Sequence, residues 1–134
     1  MTVEPQKRKR VLVVDDEPDV CIYLSKLLEE HGYETACAGD GAEAMARVEA
    51  DKPDLITLDL SMPNKSGVRF YQEIRSRSGF DTIPVILVTG VTGMGDSGAT
   101  KRFYSTRRQV PPPDGFLAKP IDPDEMLGLI RKLI

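Results

Sequence analysis

Five polar residues at the ends of four short hydrophobic runs carry the chemistry that this sequence predicts. They are Asp15, Asp16, Asp59, Thr89 and Lys119. Short runs rich in β-branched residues and separated by helical patterns predict parallel strands, whose carboxyl ends meet along one edge of a sheet. We therefore expect three carboxylates, a hydroxyl and an ammonium group in one crevice, as a phosphoryl-transfer site requires. A single residue of any of these types is usually a cap, a turn or a surface residue, so the interpretation depends on their joint placement.

Three carboxylates at one edge need positive charge among them, because each raises the pKa of its neighbours. A hard divalent cation removes this conflict, and carboxylates with water and phosphate are the usual ligands of Mg²⁺. Asp59 stands alone at the end of the central strand, which makes it the candidate nucleophile for an acyl phosphate. Asp15 and Asp16 are candidates for holding the cation. Thr89 and Lys119 are candidates for contacting the phosphoryl oxygens.

Hydrophobic periodicity predicts five strands that alternate with helices. The predicted strands are residues 11–14, 33–38, a run that starts at 53–54, 84–88 and 116–118. The first helix starts near Pro18, and the last runs from an N-cap at Asp122 to the C-terminus. The helix side chains expected to face the core are Val20, Leu24, Leu27 and Leu28, then Ala42, Met45 and Val48, then Val68, Tyr71 and Ile74, and finally Met126, Ile130, Leu133 and Ile134.

Strands that alternate with helices predict an α/β fold, a doubly wound five-stranded parallel sheet with helices on both faces. Right-handed crossovers leave few topologies, and we predict the flavodoxin-like order 2-1-3-4-5. In this order the first and third strands flank the crevice, so Asp15 and Asp16 face Asp59. We expect residues 1–8 to be a polar lead-in and residues 9–134 to form one domain. An output function is expected on another polypeptide or in a part of the protein outside this sequence.

The composition excludes several classes of function. The net charge of −3 over 134 residues argues against nucleic acid as a direct partner. No apolar run is long enough to span a bilayer, so we expect no membrane partner and a cytoplasmic location. Cys21 and Cys37 lack metal-ligand spacing, and we interpret them as small buried side chains rather than as a redox or metal site. His31, the one histidine in the sequence, is interpreted with Gly32 as a helix C-terminus.

Four ordered motifs closely resemble the response-regulator receiver domain of two-component signalling. They are residues 11–18, which end in Asp15-Asp16-Glu17-Pro18, residues 54–63 around Asp59, residues 88–90 around Thr89, and residues 116–120, which end in Lys119-Pro120. The resemblance extends from about residue 9 to residue 134. It implies that a histidine kinase or histidine phosphotransfer protein donates a phosphoryl group from its histidine to Asp59. It also implies a signalling protein that catalyses only its own phosphorylation and dephosphorylation, and not an enzyme with a separate substrate.

The resemblance also implies a ligand set and the geometry around the lysine. Mg²⁺ would be bound by Asp16, Asp59 and the backbone carbonyl of Ser61, and Asp15 would act partly through water. The bond between Lys119 and the following proline would be a cis peptide that aims the ammonium group at the phosphate.

A conformational switch is a further implication of the resemblance. Thr89 would move toward the phosphate and vacate space for the aromatic ring of Phe116, where the family often has tyrosine. Phosphorylation would favour one arrangement of the fourth helix, fifth strand and fifth helix, and partners would select that arrangement. A homodimer that forms on phosphorylation would be one such arrangement.

Residues 90–114 depart from the family pattern, because this stretch is longer than the usual connection and its first half is rich in glycine. As a hypothesis, residues 99–108 are helical and present a basic surface to a partner. The residues of this surface are Lys101, Arg102, Arg107 and Arg108. A solvated loop is the open alternative.

The same residues can be compared with three other functions. An aspartyl-phosphate phosphatase would share the nucleophile and the metal. Such enzymes typically have an Asp-x-Asp motif at the end of the strand, and its second acid is the general acid. In this chain the residue two positions after Asp59 is Ser61. A flavin- or nucleotide-binding module would need a phosphate loop rich in serine, threonine or glycine after the first strand, where this chain has Asp15 and Asp16. A phosphorylation-independent interaction module would not need the five key positions, all of which are present.

Overall fold

The computed structural model describes residues 8–62, 66–90 and 112–134. Its strands are β1 (Arg10–Val14), β2 (Glu34–Ala38), β3 (Leu55–Asp59), β4 (Val85–Thr89) and β5 (Gly115–Ala118). Its helices are α1 (Pro18–Glu30), α2 (Gly41–Ala50), α3 (Ser66–Ser76) and α4 (Pro123–Leu133). Each strand begins within one or two residues of its predicted start. Among the residues described, no helix combines the length and the apolar character that crossing a bilayer requires.

All five strands pair in parallel, in the order β2-β1-β3-β4-β5. This result confirms the predicted doubly wound α/β fold. The register places Asp59 opposite Val88 in β4, and Thr89 opposite Ala118 in β5. The ends of these strands therefore lie level with one another, so that side chains at or just beyond them share one edge of the sheet.

Two hydrophobic clusters cover the two faces of the sheet. Successive side chains of a strand point to opposite faces, and β1 shows this alternation. Leu12 and Val14 pack with α2 and α3, whereas Val11 and Val13 pack with α1 and α4. All residues of β3 and β4 are buried, as expected for central strands that are covered on both sides. The predicted placement of helices on both faces is thus confirmed.

The ends of α1 and α4 are set by residues that the sequence analysis identifies. Pro18 occupies the first turn of α1, where its missing N–H is not needed. His31 caps the other end with its Nδ1 atom 2.9 Å from the carbonyl oxygen of Leu27, and Gly32 follows with a φ of 90°. Asp122 is the N-cap of α4, and its carboxylate accepts from backbone N–H groups of the first turn. These predictions are confirmed.

The predicted inward stripe of α2 was wrong at Ala42, which is exposed. The helix begins at Gly41, and residues three and four positions apart share one face of a helix. The buried face therefore consists of Gly41, Ala44, Met45 and Val48. Several other predicted core residues are half-buried and pack against the clusters, namely Val20, Leu27, Val68, Leu133 and Ile134.

Two predictions concern residues outside the described ranges. The helix expected at residues 99–108, with its basic surface, is one of them. The other is the polar lead-in, of which only residue 8 is described.

A buried arginine ties the start of β5 to α3 and to the start of β4. The guanidinium group of Arg75 donates to the carbonyl oxygen of Ile83 at 2.7 Å and to the hydroxyl of Tyr71 at 3.2 Å. It also pairs with Asp114 at 3.1 Å, and the same carboxylate oxygen accepts the N–H of Val85 at 2.8 Å. Asp114 directly precedes β5, so this network fixes the amino ends of β4 and β5, opposite the edge that carries the polar residues.

Close backbone packing at the start of α2 leads to a stability prediction. A Cβ atom on Gly41 would lie 2.5 Å from the carbonyl oxygen of Ser66, and the N–H of Gly41 donates to the Ser66 hydroxyl at 3.1 Å. We expect Gly41→Ala to lower the free energy of unfolding by about 1–3 kcal/mol, because two backbones would have to separate. Urea denaturation monitored by circular dichroism measures this change.

Gly128→Ala is the matched control for Gly41→Ala. Gly128 lies inside α4, and an added Cβ atom would meet nothing within 4 Å. This variant is expected to be more stable than the parent by about 0.5–1 kcal/mol, because alanine loses less backbone entropy in a helix. Equal stability of the parent and the Gly41→Ala variant would contradict the close contact.

Candidate functional site

The carboxyl edge of the sheet brings together the residues that the sequence analysis selects. Asp15 directly follows β1, Asp59 and Thr89 end β3 and β4, and Lys119 directly follows β5. Backbone hydrogen bonds continue the ladder past the strands, from the N–H of Asp15 to the carbonyl of Ala38 and from the N–H of Lys119 to that of Thr89. The sheet therefore holds the backbone on which these functional side chains are mounted.

The Lys119 ammonium group lies among three carboxylates. Its Nζ atom is 3.1 Å from Oδ2 of Asp15, 3.3 Å from Oδ2 of Asp59 and 3.2 Å from Oε1 of Glu17. The side chain is 15% exposed. The bond between Lys119 and Pro120 is cis, as the family resemblance implies. The ammonium group thus connects the acidic residues after β1 with the acidic residue at the end of β3.

Both carboxylate oxygens of Asp59 have hydrogen-bond donors. The residue is 1% exposed, and its Oδ1 atom accepts from the N–H of Ser61 at 2.9 Å and from the Ser61 hydroxyl at 2.6 Å. Its Oδ2 atom faces Lys119. Donors to an ionised carboxylate give short, strong hydrogen bonds that orient the group. The family resemblance implies a role for the backbone carbonyl of Ser61, whereas the contact of its hydroxyl with Asp59 was not predicted from the sequence.

Three consecutive acidic residues, Asp15, Asp16 and Glu17, place carboxylate oxygens within 4.8 Å of one another. Asp15 is buried, and the other two side chains are exposed. Burial is the main reason that the pKa of Asp15 is raised, and the charge of Asp59 adds to it. The N–H of Glu17, 2.9 Å from Oδ1 of Asp15, and the Lys119 ammonium group oppose this shift without cancelling it.

The pKa of Lys119 is also raised. Burial alone would lower the pKa of the ammonium group, but the contacts with Asp15, Asp59 and Glu17 outweigh burial. Lys119 therefore stays cationic throughout the neutral range. The pKa of Asp15 and the pKa of Lys119 can both be raised, because three carboxylates share one ammonium group in the described contacts. Lys119 gains from all three carboxylates, whereas Asp15 gains from one ammonium group that it shares. This part of the site can accept more positive charge.

The donor atoms at this edge fit a hard divalent cation. The acidic group of residues 15–17 offers only oxygen atoms, which Mg²⁺ and Ca²⁺ prefer. Asp59 is not a member of that group, and the Lys119 ammonium group connects the two. The excess of carboxylate over ammonium, together with the raised pKa of Asp15, is the electrostatic situation that a bound cation relieves.

Thr89 and Phe116 lie on the neighbouring strands β4 and β5. Thr89 is 8% exposed, and its hydroxyl donates to the carbonyl oxygen of Leu117 at 3.4 Å. Phe116 is 42% exposed. Thr89 ends β4 and therefore lies at the carboxyl edge, whereas Phe116 is the second residue of β5 and is the register partner of Leu87. Their movement in a switch stays a prediction.

Glu17 is a site residue that the sequence analysis leaves without a role. It lies in the Asp-Asp-Glu-Pro motif, directly after the predicted cation ligands, and it is also the N-cap of α1. A glutamate before a helical proline is usually read as part of a helix start. It pairs with Lys119, which is 102 residues away in the sequence. This contact depends on how the sheet places the end of β1 relative to the end of β5, and local sequence does not reveal it.

The raised pKa of Asp15 predicts a dependence of stability on pH in the absence of divalent cations. A carboxyl group whose folded pKa exceeds its ordinary value of 3.8 contributes stability that is fully present below that pH. The contribution is lost as the pH rises through the folded pKa. We therefore expect Asp15→Asn to have a higher Tm than the parent at neutral pH, and the difference to narrow below pH 3.8.

Asp16→Asn is the control for this experiment, because Asp16 is the exposed neighbour in the same loop. It is expected to change the free energy of unfolding by less than about 0.5 kcal/mol, as surface substitutions usually do. Thermal unfolding followed by circular dichroism with a chelator present compares the three proteins. A lower Tm for Asp15→Asn than for the parent at neutral pH would contradict the prediction that ionised Asp15 destabilises the fold.

Comparison with known proteins identifies the family of this chain. The family model of the response regulator receiver domain matches residues 11–131. Protein Rrf1 of Nitratidesulfovibrio vulgaris is 34% identical over 125 residues, which are 93% of this chain and 82% of Rrf1. The DNA-binding response regulator MtrA of Mycolicibacterium smegmatis is 32% identical over 130 residues. That match covers 92% of this chain but 50% of MtrA, so the chain spans half the length of this relative.

A solved structure agrees with these sequence matches. The chemotaxis protein CheY4 of Vibrio cholerae matches with a TM-score of 0.81 and 26% sequence identity, and the match covers 96% of this chain and 100% of CheY4. The family match includes the five strands except Arg10, all buried residues of both hydrophobic clusters and every polar residue of the carboxyl edge. The chain therefore belongs to the response regulator receiver domain family of two-component signalling.

Proposed function

We propose that this chain is a phospho-acceptor switch, in which Asp59 takes a phosphoryl group from the histidine of a partner kinase or phosphotransfer protein. One observation carries the proposal. Asp59 is a buried carboxylate at the end of a central strand, in contact with a lysine that also contacts the acidic residues after β1. A nucleophile in such a place needs mainly positioning and charge neutralisation, and these dominate phosphoryl transfer.

The bonds to Asp59 define its proposed part in the reaction. Ser61 donates twice to Oδ1, and Lys119 faces Oδ2, so the carboxylate is held in one orientation. Oδ2 is the oxygen nearest to positive charge, and a phosphoryl group that arrives there would have an ammonium group beside its own oxygens. Attack by a carboxylate oxygen on phosphorus forms an acyl phosphate and releases the partner's histidine.

Mg²⁺ is the proposed cofactor. The ligands would be Asp15, Asp16, Asp59 and the backbone carbonyl of Ser61, and Asp15 would act partly through water. When bound, the cation would neutralise negative charge on the phosphoryl group and on the carboxylates. The raised pKa of Asp15 is compatible with this assignment, because burial is its main cause and the charge of Asp59 adds to it, and a cation bound beside Asp15 would favour the ionised carboxylate.

Thr89 and Phe116 are the proposed switch residues. The Thr89 hydroxyl donates to the Leu117 carbonyl at 3.4 Å, a long bond that could be exchanged for one to a phosphoryl oxygen. Movement of Thr89 would change the space beside Phe116, which is half-exposed on the neighbouring strand. Partners would then select the altered face, which consists of the fourth helix that the sequence predicts at residues 99–108, of β5 and of the C-terminal helix, here α4. A homodimer linked to phosphorylation belongs to the same proposal.

The output of the switch is proposed only in general terms. MtrA is described as DNA-binding, and this chain spans half of it, so direct DNA binding is not carried over to this chain. The net charge of −3 supports a protein partner more than nucleic acid. A cytoplasmic location is proposed together with the kinase partner.

Phosphorylation by a small acyl-phosphate donor tests the proposal directly. The chain is incubated with the donor in the presence of Mg²⁺ or of a chelator, and its intact mass is measured. We expect a gain of one phosphoryl group with Mg²⁺ and a much slower gain with the chelator. Hydroxylamine should remove the group, because it cleaves acyl phosphates and leaves serine and threonine phosphates intact. A chain that gains no mass under these conditions would refute the proposal.

An aspartyl-phosphate phosphatase is the second candidate, because it would share the nucleophile and the metal. Such an enzyme would need a general acid beside Asp59, and the side chain that contacts Asp59 from two residues beyond is the Ser61 hydroxyl. Assays of small phosphate esters separate the two functions. Sustained turnover would favour the phosphatase, and a single phosphorylation of the chain favours the switch.

A further inference from the structure

The two cysteines of the chain meet where α1 crosses β2. Cys21 lies in α1 and Cys37 in β2, and the Cys37 thiol is 3.7 Å from the carbonyl oxygen of Cys21 and 3.2 Å from the hydroxyl of Ser25. The Cys21 thiol is 3.8 Å from the carbonyl oxygen of Val13. Val13 is the register partner of Cys37 in the neighbouring strand. The Cys37 sulfur therefore lies beside the backbone of Cys21, and the Cys21 sulfur lies beside the register partner of Cys37.

The two thiols differ in access to solvent. Both cysteines line a groove of about 580 Å³ between α1 and the end of β2. Cys21 is 8% exposed, whereas Cys37 is half-buried, so a small molecule in the groove reaches Cys37 first. Burial, followed by the hydrogen bond between the two thiols, raises the pKa of Cys21 to about 12. Cys21 therefore stays a protonated thiol at neutral pH and is the second of the pair to react.

Although the sequence alone predicts two small buried side chains without a redox role, we propose that Cys21 and Cys37 are an oxidisable pair, which a peroxide converts into a disulfide within the chain. The Cys37 sulfur attacks the peroxide, so that an S–O bond forms, the O–O bond breaks and one water molecule leaves. The Cys21 sulfur then attacks the Cys37 sulfur, so that the S–S bond forms and the S–O bond breaks. The hydroxyl group leaves with the Cys21 thiol proton as a second water molecule. Two sulfur atoms are oxidised, and the two peroxide oxygen atoms are reduced.

The position of this pair places it next to the acidic loop of residues 15–17. The N–H of Cys21 donates to the carbonyl of Glu17 at 3.2 Å, at the end of this loop. At its start, the N–H of Asp15 donates to the carbonyl of Ala38 at 3.0 Å, directly after Cys37. A disulfide would therefore link α1 and β2, the two elements whose backbone hydrogen bonds hold the ends of the acidic loop. A cysteine pair with no role in phosphoryl transfer thus lies at both ends of that loop, where Cys21 itself bonds to Glu17 and the residue after Cys37 bonds to Asp15.

Thiol counting after oxidation tests the proposal without reference to phosphorylation. The reduced, folded chain is treated with hydrogen peroxide, denatured, alkylated and weighed. We expect the untreated chain to take two alkyl groups and the oxidised chain to take none, with a loss of the mass of two hydrogen atoms. Dithiothreitol should restore both thiols, and protease digestion should yield a linked peptide pair that contains Cys21 and Cys37.

Three controls make the result specific to the folded chain. Cys21→Ser and Cys37→Ser should each form no internal link, and circular dichroism establishes that they fold. The parent treated in denaturant should form the link several-fold more slowly than the folded parent. The proposal is overturned if the folded parent keeps both thiols, forms links only between copies, oxidises at Cys37 to a sulfinic acid without a link, or reacts no faster than the denatured chain.

Discussion

An Asp59→Asn variant is expected to gain no phosphoryl group from a small acyl-phosphate donor under conditions in which the parent gains one. Asparagine keeps the shape of the side chain and can still accept the hydrogen bond from the Ser61 N–H. It lacks the carboxylate oxygen that attacks phosphorus, and an amide is a very poor nucleophile. The expected effect is complete loss of the modification, measured by intact mass.

Asp81→Asn is the matched control for this substitution. Asp81 is exposed and lies before β4, at the opposite edge of the sheet from Asp59. It should be phosphorylated at the parental rate. A phosphoryl group on the Asp59→Asn variant would place the acceptor on another residue and would overturn the assignment of Asp59.

Lys119→Met is expected to slow phosphorylation of Asp59 by about a hundredfold, which is the usual effect of removing one preorganised electrostatic contact to a transition state. Methionine retains much of the apolar stem of lysine and removes the charge. Two buried carboxylates, those of Asp15 and Asp59, would then lose the ammonium group that they share. The rate is measured with saturating Mg²⁺, so that loss of the lysine is not confused with loss of the cation.

Lys119→Arg separates charge from geometry in this experiment. Arginine keeps the positive charge but is planar and longer, so it should recover part of the rate. Thermal unfolding of both variants shows whether the fold survives. Parental rates for Lys119→Met would mean that this ammonium group does not act on the phosphoryl group, whatever its contacts in the unphosphorylated chain.

Local patterns in the sequence were sufficient for the architecture. Short apolar runs separated by helical patterns identified all five strands of the sheet. Right-handed crossovers left few topologies, and the order chosen among them, 2-1-3-4-5, is the one observed. The caps at His31 and Asp122 follow from short-range chemistry, and the structure confirms them. The buried face of α2 was wrong at Ala42, because a spacing of three and then three residues, from Ala42 to Met45 to Val48, drifts around a helix of 3.6 residues per turn. The buried residues Gly41, Ala44, Met45 and Val48 alternate spacings of three and one, which keeps them on one face.

Long-range contacts were beyond the reach of these patterns. Arg75 and Asp114 form a partly buried ion pair although 39 residues separate them, and nothing in either local sequence links the two. The contact between Cys21 and Cys37 is similar, since it depends on how closely α1 packs on the edge of β2. Such contacts depend on distances between packed elements, which a one-dimensional pattern does not contain.

For the candidate site, the sequence by itself determined which residue types stand at the ends of the strands. It also determined that they share one edge, because the carboxyl ends of parallel strands meet at the same edge of a sheet. The tertiary structure alone decided how those side chains are shared. It gave Glu17 a place beside Lys119, turned the Ser61 hydroxyl toward Asp59, and buried Asp15 while leaving Asp16 exposed. The physical reason is that charge balance in a site depends on burial and on separations of a few ångströms, and both arise only when the elements pack.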